Sequence, residues 1–192
     1  MNTNDIWLIA GLGNPEAKYD GTRHNAGFML VDLLLQDLPH SDISKPSFKG
    51  SLYKSELGLF LKPLTFMNSS GESVLAVRNY FKCDRLIVIH DDIDLNLGVL
   101  RFKMGGGNGG HNGLKSIDAL CGAEYERVRV GIGKKEPVLS FVLGKFSTDE
   151  LASLAPVLEQ AKAGLLALLK GQDITQVASA FNLKAKTQES SQ

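Results

Sequence analysis

The sequence is poor in cysteine and tryptophan, has no long apolar run and carries no net charge. Two cysteines in 192 residues, Cys83 and Cys121, cannot build a disulfide framework, and their spacing fits no zinc motif. Reduced thiols suit a cytoplasmic protein. No apolar run approaches the roughly 20 residues of a membrane span. The stretch Met1 to Leu12 sets acidic Asp5, not a basic cluster, before its apolar residues, so it does not read as a signal peptide. With 21 Lys+Arg against 21 Asp+Glu the formal net charge is zero. Taken whole, that balance argues against a broad basic surface for nucleic acid.

The balance hides two unlike regions. Residues 97–145 hold Arg101, Lys103, Lys115, Arg127, Arg129, Lys134, Lys135 and Lys145 against Asp118, Glu124, Glu126 and Glu136. That stretch is +4 and the remainder is −4, so a local basic face is available despite overall neutrality. A solvated surface of mixed charge is the plain alternative.

Apolar patterning predicts alternating strands and helices. Ile6 to Ala10 reads as a buried strand feeding the tight turn Gly11-Leu12-Gly13-Asn14-Pro15. Phe28, Val31, Leu34, Leu35 and Leu38 share one face of a helix that Pro39 closes. Leu52 to Glu56 and Leu59 to Lys62 read as a hairpin. A helix capped by Ser69 or Ser70 runs to Phe81 and buries Val74, Val77, Tyr80 and Phe81. Leu86 to Ile89 is a strand covered on both faces, ending in His90-Asp91-Asp92. Strands at 99–104 and 126–132 flank a glycine-rich loop and a helix to about Leu120. Ser147-Thr148-Asp149-Glu150 has capping-box spacing before a helix bent or interrupted at Pro156, and a short helix covers 175–181. The pattern implies a single α/β domain over residues 1–183: a twisted, mixed, mainly parallel β-sheet flanked by α-helices, with 184–192 a frayed tail. Ligands bind beyond the carboxyl ends of the strands in such sheets. Asn14, His90-Asp91-Asp92 and His111-Asn112 lie at those ends.

Four groups there could do chemistry. His24 lies where a helix begins. The positive end of a helix dipole disfavours imidazolium, and a neutral imidazole can act as general base; a packed or capping histidine is the plain alternative. Asp91 could orient such a base, with Asp92 and Asp94 as rivals that strand alternation does not separate. Six glycines in Gly105 to Gly113 leave backbone amides open to a phosphate or substrate, but no Lys-Ser/Thr follows, which removes a Walker loop. In Thr65-Phe66-Met67-Asn68, Asn68 could cap a helix or hold a water, and Phe66 could stack on a base. Gly11-x-Gly13 is no dinucleotide fingerprint, and no Gly-x-Ser-x-Gly or His-Glu-x-x-His occurs. A metal set of His90, Asp91, Asp94 and His111 is conceivable but matches no known spacing.

Seven segments in order resemble the bacterial-type peptidyl-tRNA hydrolase family over about residues 6–183. They are Gly11–Pro15, Thr22–Gly27, Phe66–Gly71, His90–Asp94, Gly109–Leu114, Arg129–Gly133 and Val142–Phe146. The resemblance implies a monomeric cytoplasmic esterase that cleaves peptidyl-tRNA, recycling tRNA from abandoned translation. It implies tRNA as partner, no metal or other cofactor, no membrane and no obligate protein partner. Carried over by position, His24 is the base that activates water and Asp91 orients it. Asn14 contacts the peptide end, and Asn68 and Asn112 hold substrate and water. Tyr19 and Phe66 line the site near the terminal nucleotide. Arg101, Lys103 and Arg129 clamp tRNA phosphate, with Arg127 beside Arg129 an open alternative. Departures are few: Glu16 stands where the family often has glycine, Asp92 where glutamate is common, and Arg101 where lysine is common.

Overall fold

A computed structural model describes residues 5–185. Seven strands form one sheet in the order β2-β3-β4-β1-β5-β7-β6. Strand β1 (Trp7–Gly11) is fully buried and pairs parallel with β4 (Gly58–Pro63) and β5 (Arg85–Asp92). Strand β5 pairs parallel with β7 (Glu126–Gly131), and β6 (Leu100–Met104) closes that edge antiparallel to β7. On the other edge β3 (Gly50–Ser55) makes the expected hairpin with β4, and the two-residue β2 (Ser41–Asp42) extends it. The fold is the mixed, mainly parallel α/β sheet that the sequence predicts.

Period-2 alternation splits the central strands between two cores. Ile9, Ile87, Ile89, Val128 and Val130 face α1 (Ala26–Asp37), α5 (Thr148–Leu169) and α6 (Ile174–Phe181). Leu8, Ala10, Leu86 and Val88 face α2 (Ser70–Phe81) and α3 (Asn112–Cys121). A further short helix, α4 (Val138–Val142), was not foreseen. Five residues carry too little periodicity to register as an amphipathic helix.

Three other expectations change. Helix α5 runs unbroken through Pro156, which is exposed; the buried face of Leu154, Val157, Leu158, Ala161, Leu165 and Leu168 continues on either side. Burial of that face outweighs the missing amide. Although α5 is long and apolar enough to cross a membrane by length and composition, this face belongs to the inner core. Tyr80 is 58% exposed and stacks edge-on against Phe48 and Phe81 at the surface. Ser69 makes no capping bond with its side chain, whereas the capping box of Ser147 and Glu150 is present. Of the expected tail, residues 186–192 lie outside the described residues.

Candidate active site

The turn after β1 and the start of α1 are locked together before any side chain is placed for chemistry. A Cβ on Gly27 would lie 2.3 Å from the Leu12 nitrogen and 2.5 Å from the Ile89 carbonyl oxygen, so only glycine lets α1 begin against the strand ends. Asn25 clamps Asn14 in both directions: its Oδ1 accepts from the Asn14 amide at 2.9 Å, and its Nδ2 donates to the Asn14 carbonyl at 3.0 Å. The Oδ1 of Asn14 accepts from the Met67 amide at 2.8 Å, so the donating end of that side chain is the one left for a ligand. Phe66, just before, has φ 59° and is 45% exposed, a strained backbone next to this junction.

His24 sits in the 3-10 turn Arg23–Asn25 that opens α1 and is buried. Its Nδ1 lies 2.9 Å from Oδ2 of Asp91 and 3.1 Å from Oδ1. Strand parity explains the meeting. Asp91 continues the face of Ile87 and Ile89, which is the face α1 covers. Asp92 points the other way, where its Oδ2 accepts from Arg129 Nε at 2.8 Å and its Oδ1 receives the Asp94 amide. Of the three aspartates at this strand end, Asp91 is the one that hydrogen-bonds His24.

A second imidazole shares the carboxylate. His111 Nε2 lies 2.8 Å from Asp91 Oδ1, while His111 Nδ1 accepts the amides of Gly113 and Leu114 at 3.1 and 3.4 Å and so caps α3. Burial alone would push the Asp91 carboxyl up. The electrostatic pull of His111 and then of His24, with their hydrogen bonds, outweighs burial and holds it far below the usual carboxylate range. An ionised carboxylate only accepts, so both rings donate to it, and in the neutral ring the Nε2 of His24 is left as an acceptor. His90 lies beneath: its Nδ1 donates to the Asp91 carbonyl at 2.8 Å, and its Nε2 is buried with no partner among the described residues. Burial, reinforced by His111, pushes the His90 ring down to about 4, so it is neutral.

The glycine loop is anchored from below. Arg127 donates to the carbonyls of Gly107 and Gly106 at 2.7 and 2.6 Å. Its side chain is 3% exposed, against 25% for Arg129. The antiparallel register sets Arg101 opposite Arg129 and Lys103 opposite Arg127, so four basic residues share one sheet face. Like charges opposed in a sheet repel, and Asp92 and Asp118 stand beside Arg129 and Arg127 as counter-charges. Arg127 is therefore spent on the loop; Lys103 and Arg129 also line the cavity, Lys103 with no ion pair among the described residues and Arg129 paired with Asp92. Arg101 instead donates to the Leu100 and Leu183 carbonyls.

A cavity of about 370 Å3 opens over these groups. Of the predicted site residues it is lined by His24, Asp91, Asn112, Lys103 and Arg129. Asn14 does not line it; its bonds run to Asn25, the neighbour of His24, and to Met67. Tyr19, Phe66, Asn68 and Arg101 stand outside that lining; Tyr19 is half-buried and Asn68 is exposed. His90 and His111, read in the sequence only as strand-end polar residues and members of a conceivable metal set, also line the cavity, as does Arg127, the open alternative to Arg129. The apolar wall of Val138, Leu139 and Val142 was missed, because nothing in the five residues of α4 marks a site.

For a metal, the donor atoms of His24, Asp91 and His111 lie within 4.8 Å of one another. His90 and Asp94, the other members of the set the sequence left conceivable, do not join them. Cys83 is no nucleophile: burial pushes its thiol up to about 11.

A buried carboxylate holding an imidazole with one free ring nitrogen, beside an open polar cavity at the carboxyl end of a parallel sheet, is an arrangement that can support general-base chemistry in an α/β protein. Comparison with known proteins says which kind. The family model described as peptidyl-tRNA hydrolase matches residues 8–190. A peptidyl-tRNA hydrolase of Campylobacter lari is 62% identical over 177 residues, covering 92% of this chain and 98% of that one. One of Campylobacter jejuni is 57% identical over 180 residues, covering 93% and 99%. The crystal structure of a peptidyl-tRNA hydrolase from Acinetobacter baumannii matches with a TM-score of 0.85 at 36% identity, covering 92% of this chain and 96% of that one. The chain belongs to the peptidyl-tRNA hydrolase family.

Proposed function

We propose that this protein hydrolyses the ester joining a peptide to the terminal ribose of tRNA, with His24 as general base, and so recycles tRNA from abandoned translation in the cytoplasm. The observation that carries the reading is the Asp91 carboxylate held between two imidazoles, which leaves Nε2 of His24 as the acceptor at the cavity. Nε2 takes a proton from water as the water oxygen attacks the ester carbonyl. The imidazolium, stabilised by Asp91, returns that proton to the leaving ribose oxygen. Asn68 and Asn112 hold the substrate and the water, and Asn14 presents its amide to the peptide end. Tyr19 and Phe66 lie toward the terminal nucleotide. Lys103 and Arg129, with Arg101 beyond them, meet tRNA phosphate. The balanced overall charge fits a few placed phosphate contacts with shape recognition.

The chemistry needs no metal, no other cofactor and no protein partner, and the monomer suffices. The decisive experiment compares release of an N-acetylated amino acid from tRNA with release of the unblocked form. Cleavage of the blocked ester alone, undiminished by excess chelator, is the expected result. Tight tRNA binding without ester release would leave an RNA-binding module, and loss of cleavage in chelator would return a metal to the His24, Asp91 and His111 set.

A further inference from the structure

Arg23 precedes His24, yet its side chain turns away from the acid–base pair. It is 11% exposed and gathers three segments at once. Nη2 lies 3.1 and 2.9 Å from the two carboxylate oxygens of Glu150 at the start of α5. Nη1 donates to the Phe141 carbonyl in α4 at 3.1 Å. The guanidinium lies 4.3 Å from the centroid of the Phe141 ring and 5.7 Å from that of Phe146. The backbone repeats the link, because the Arg23 amide donates to Gly144 at 3.0 Å and the Phe146 amide to Gly21 at 3.0 Å. Gly144 packs close under it: a Cβ there would stand 2.9 Å from Arg23 Nη1 and press on the guanidinium.

The segment so fastened is one wall of the cavity. Val138, Leu139 and Val142 line it, and Leu139 is 66% exposed, an apolar side chain offered to the opening. Five residues of helix have little stability of their own. Their position depends on what holds their carboxyl end, and a planar guanidinium that stacks while donating to both a carbonyl and a carboxylate is suited to that task. His24, by contrast, is held by Asp91, and its turn by the Asn25–Asn14 clamp; neither involves the Arg23 side chain.

We propose that Arg23 is a positioning residue for substrate: it latches α4 to the catalytic turn and so fixes the apolar wall of the cavity relative to His24, while leaving the acid–base pair itself untouched. The proposal rests on the cavity being the substrate site, and its test separates the two. Arg23→Lys keeps the charge but loses the stack and the forked contacts. Its KM for N-acetyl-aminoacyl-tRNA should rise about 10-fold with kcat and its pH profile nearly unchanged, the pattern of lost substrate binding without lost chemistry. Glu150→Gln should move KM in the same direction by less. Amide hydrogen exchange, measured without substrate, should quicken at residues 138–146 in both variants and stay as in the parent over 26–37 and 85–92. Unaltered KM in both variants would overturn the proposal, even with faster exchange. So would a fall in kcat with a displaced pH profile, which would place the effect on His24. Inactivity of the parent protein in the same assay would count against the function, whereas unchanged exchange at 138–146 would count against the latch.

Discussion

His111 donates from Nε2 to Oδ1 of Asp91 at 2.8 Å, so the carboxylate that orients His24 is itself held by the residue that caps α3. One side chain thus ties the Asp91 carboxylate to the glycine loop. His111→Ala removes both a charge-assisted bond and a cap. Turnover should fall, though by less than in His24→Ala, where loss of a positioned base costs about 10²-fold or more. The cap alone is worth about 1 kcal/mol, so the denaturation midpoint of His111→Ala should fall as well. Single-turnover cleavage and urea melts of the two variants side by side check the ordering. Equal activity in His24→Ala and the parent would remove His24 from the mechanism.

His90 makes stability depend on pH. Its folded pKa of about 4 lies below the roughly 6.5 of an unfolded histidine. Between those values the unfolded chain takes up a proton that the folded chain does not, so stability falls as pH drops from about 6.5 to about 4. His111 reinforces the depression, while the Asp91 carbonyl and the charges of Asp92 and Asp91 oppose it. The depressed Asp91 carboxyl acts lower down: its contribution is complete above the ordinary carboxylate range and fades as pH falls below it. Urea denaturation at pH 7 and pH 5 should show a clear loss in the parent and a smaller one in His90→Leu. Equal losses in the two would show that the slope has another source.

Arg127 and Arg129 are two residues apart on one strand and should fail in different ways. Arg129 is tied to Asp92 through Nε and lines the cavity. Arg129→Ala should weaken tRNA binding and lower the slope of log K against log salt by about one unit. Arg127 satisfies the Gly106 and Gly107 carbonyls from a buried position, and removing it leaves those acceptors without their donor. Arg127→Ala should therefore lower stability by about 1–3 kcal/mol, with a smaller change in salt slope. Filter binding over a salt series, paired with thermal melts, distinguishes the two.

These two arginines also show how far the sequence could be read. The excess of basic residues over 97–145 is visible in the chain, but strand β7 sets Arg127 and Arg129 on the same face, so alternation does not separate them. What separates them is depth under the glycine loop, a matter of tertiary contact. The choice among Asp91, Asp92 and Asp94 was open for a related reason: parity becomes informative only once it is known which face α1 covers. The strand and helix order was legible because the apolar runs are long and strongly periodic. Helix α4 was not, since its position comes from Arg23 and its neighbours rather than from its own five residues. His111 was visible as a polar residue in a telling place, but its partner lies 20 positions away in the chain.

Glu16 carries a backbone cost that its side chain does little to offset. It has φ 82° and ψ 135°, a region that favours glycine, at the turn leading to the 3-10 segment Ala17–Tyr19. Its carboxylate pairs with Lys18 at 2.9 Å, but both side chains are about half exposed or more, and exposed pairs contribute little. Replacing it by glycine relieves the strain in the folded chain and adds freedom to the unfolded one, and the first effect is the larger where φ is positive. Glu16→Gly should therefore raise stability by about 1 kcal/mol. Thermal and urea denaturation would read the gain, and a midpoint lowered by the substitution would mean that the glutamate side chain makes a stabilising contact stronger than its pair with Lys18. The cleavage assay on the same variant adds a second reading. Glu16 lies two residues after Asn14, so a changed ratio of activity on basic and acidic peptidyl groups, with kcat for a neutral one preserved, is expected if its charge borders the peptide end.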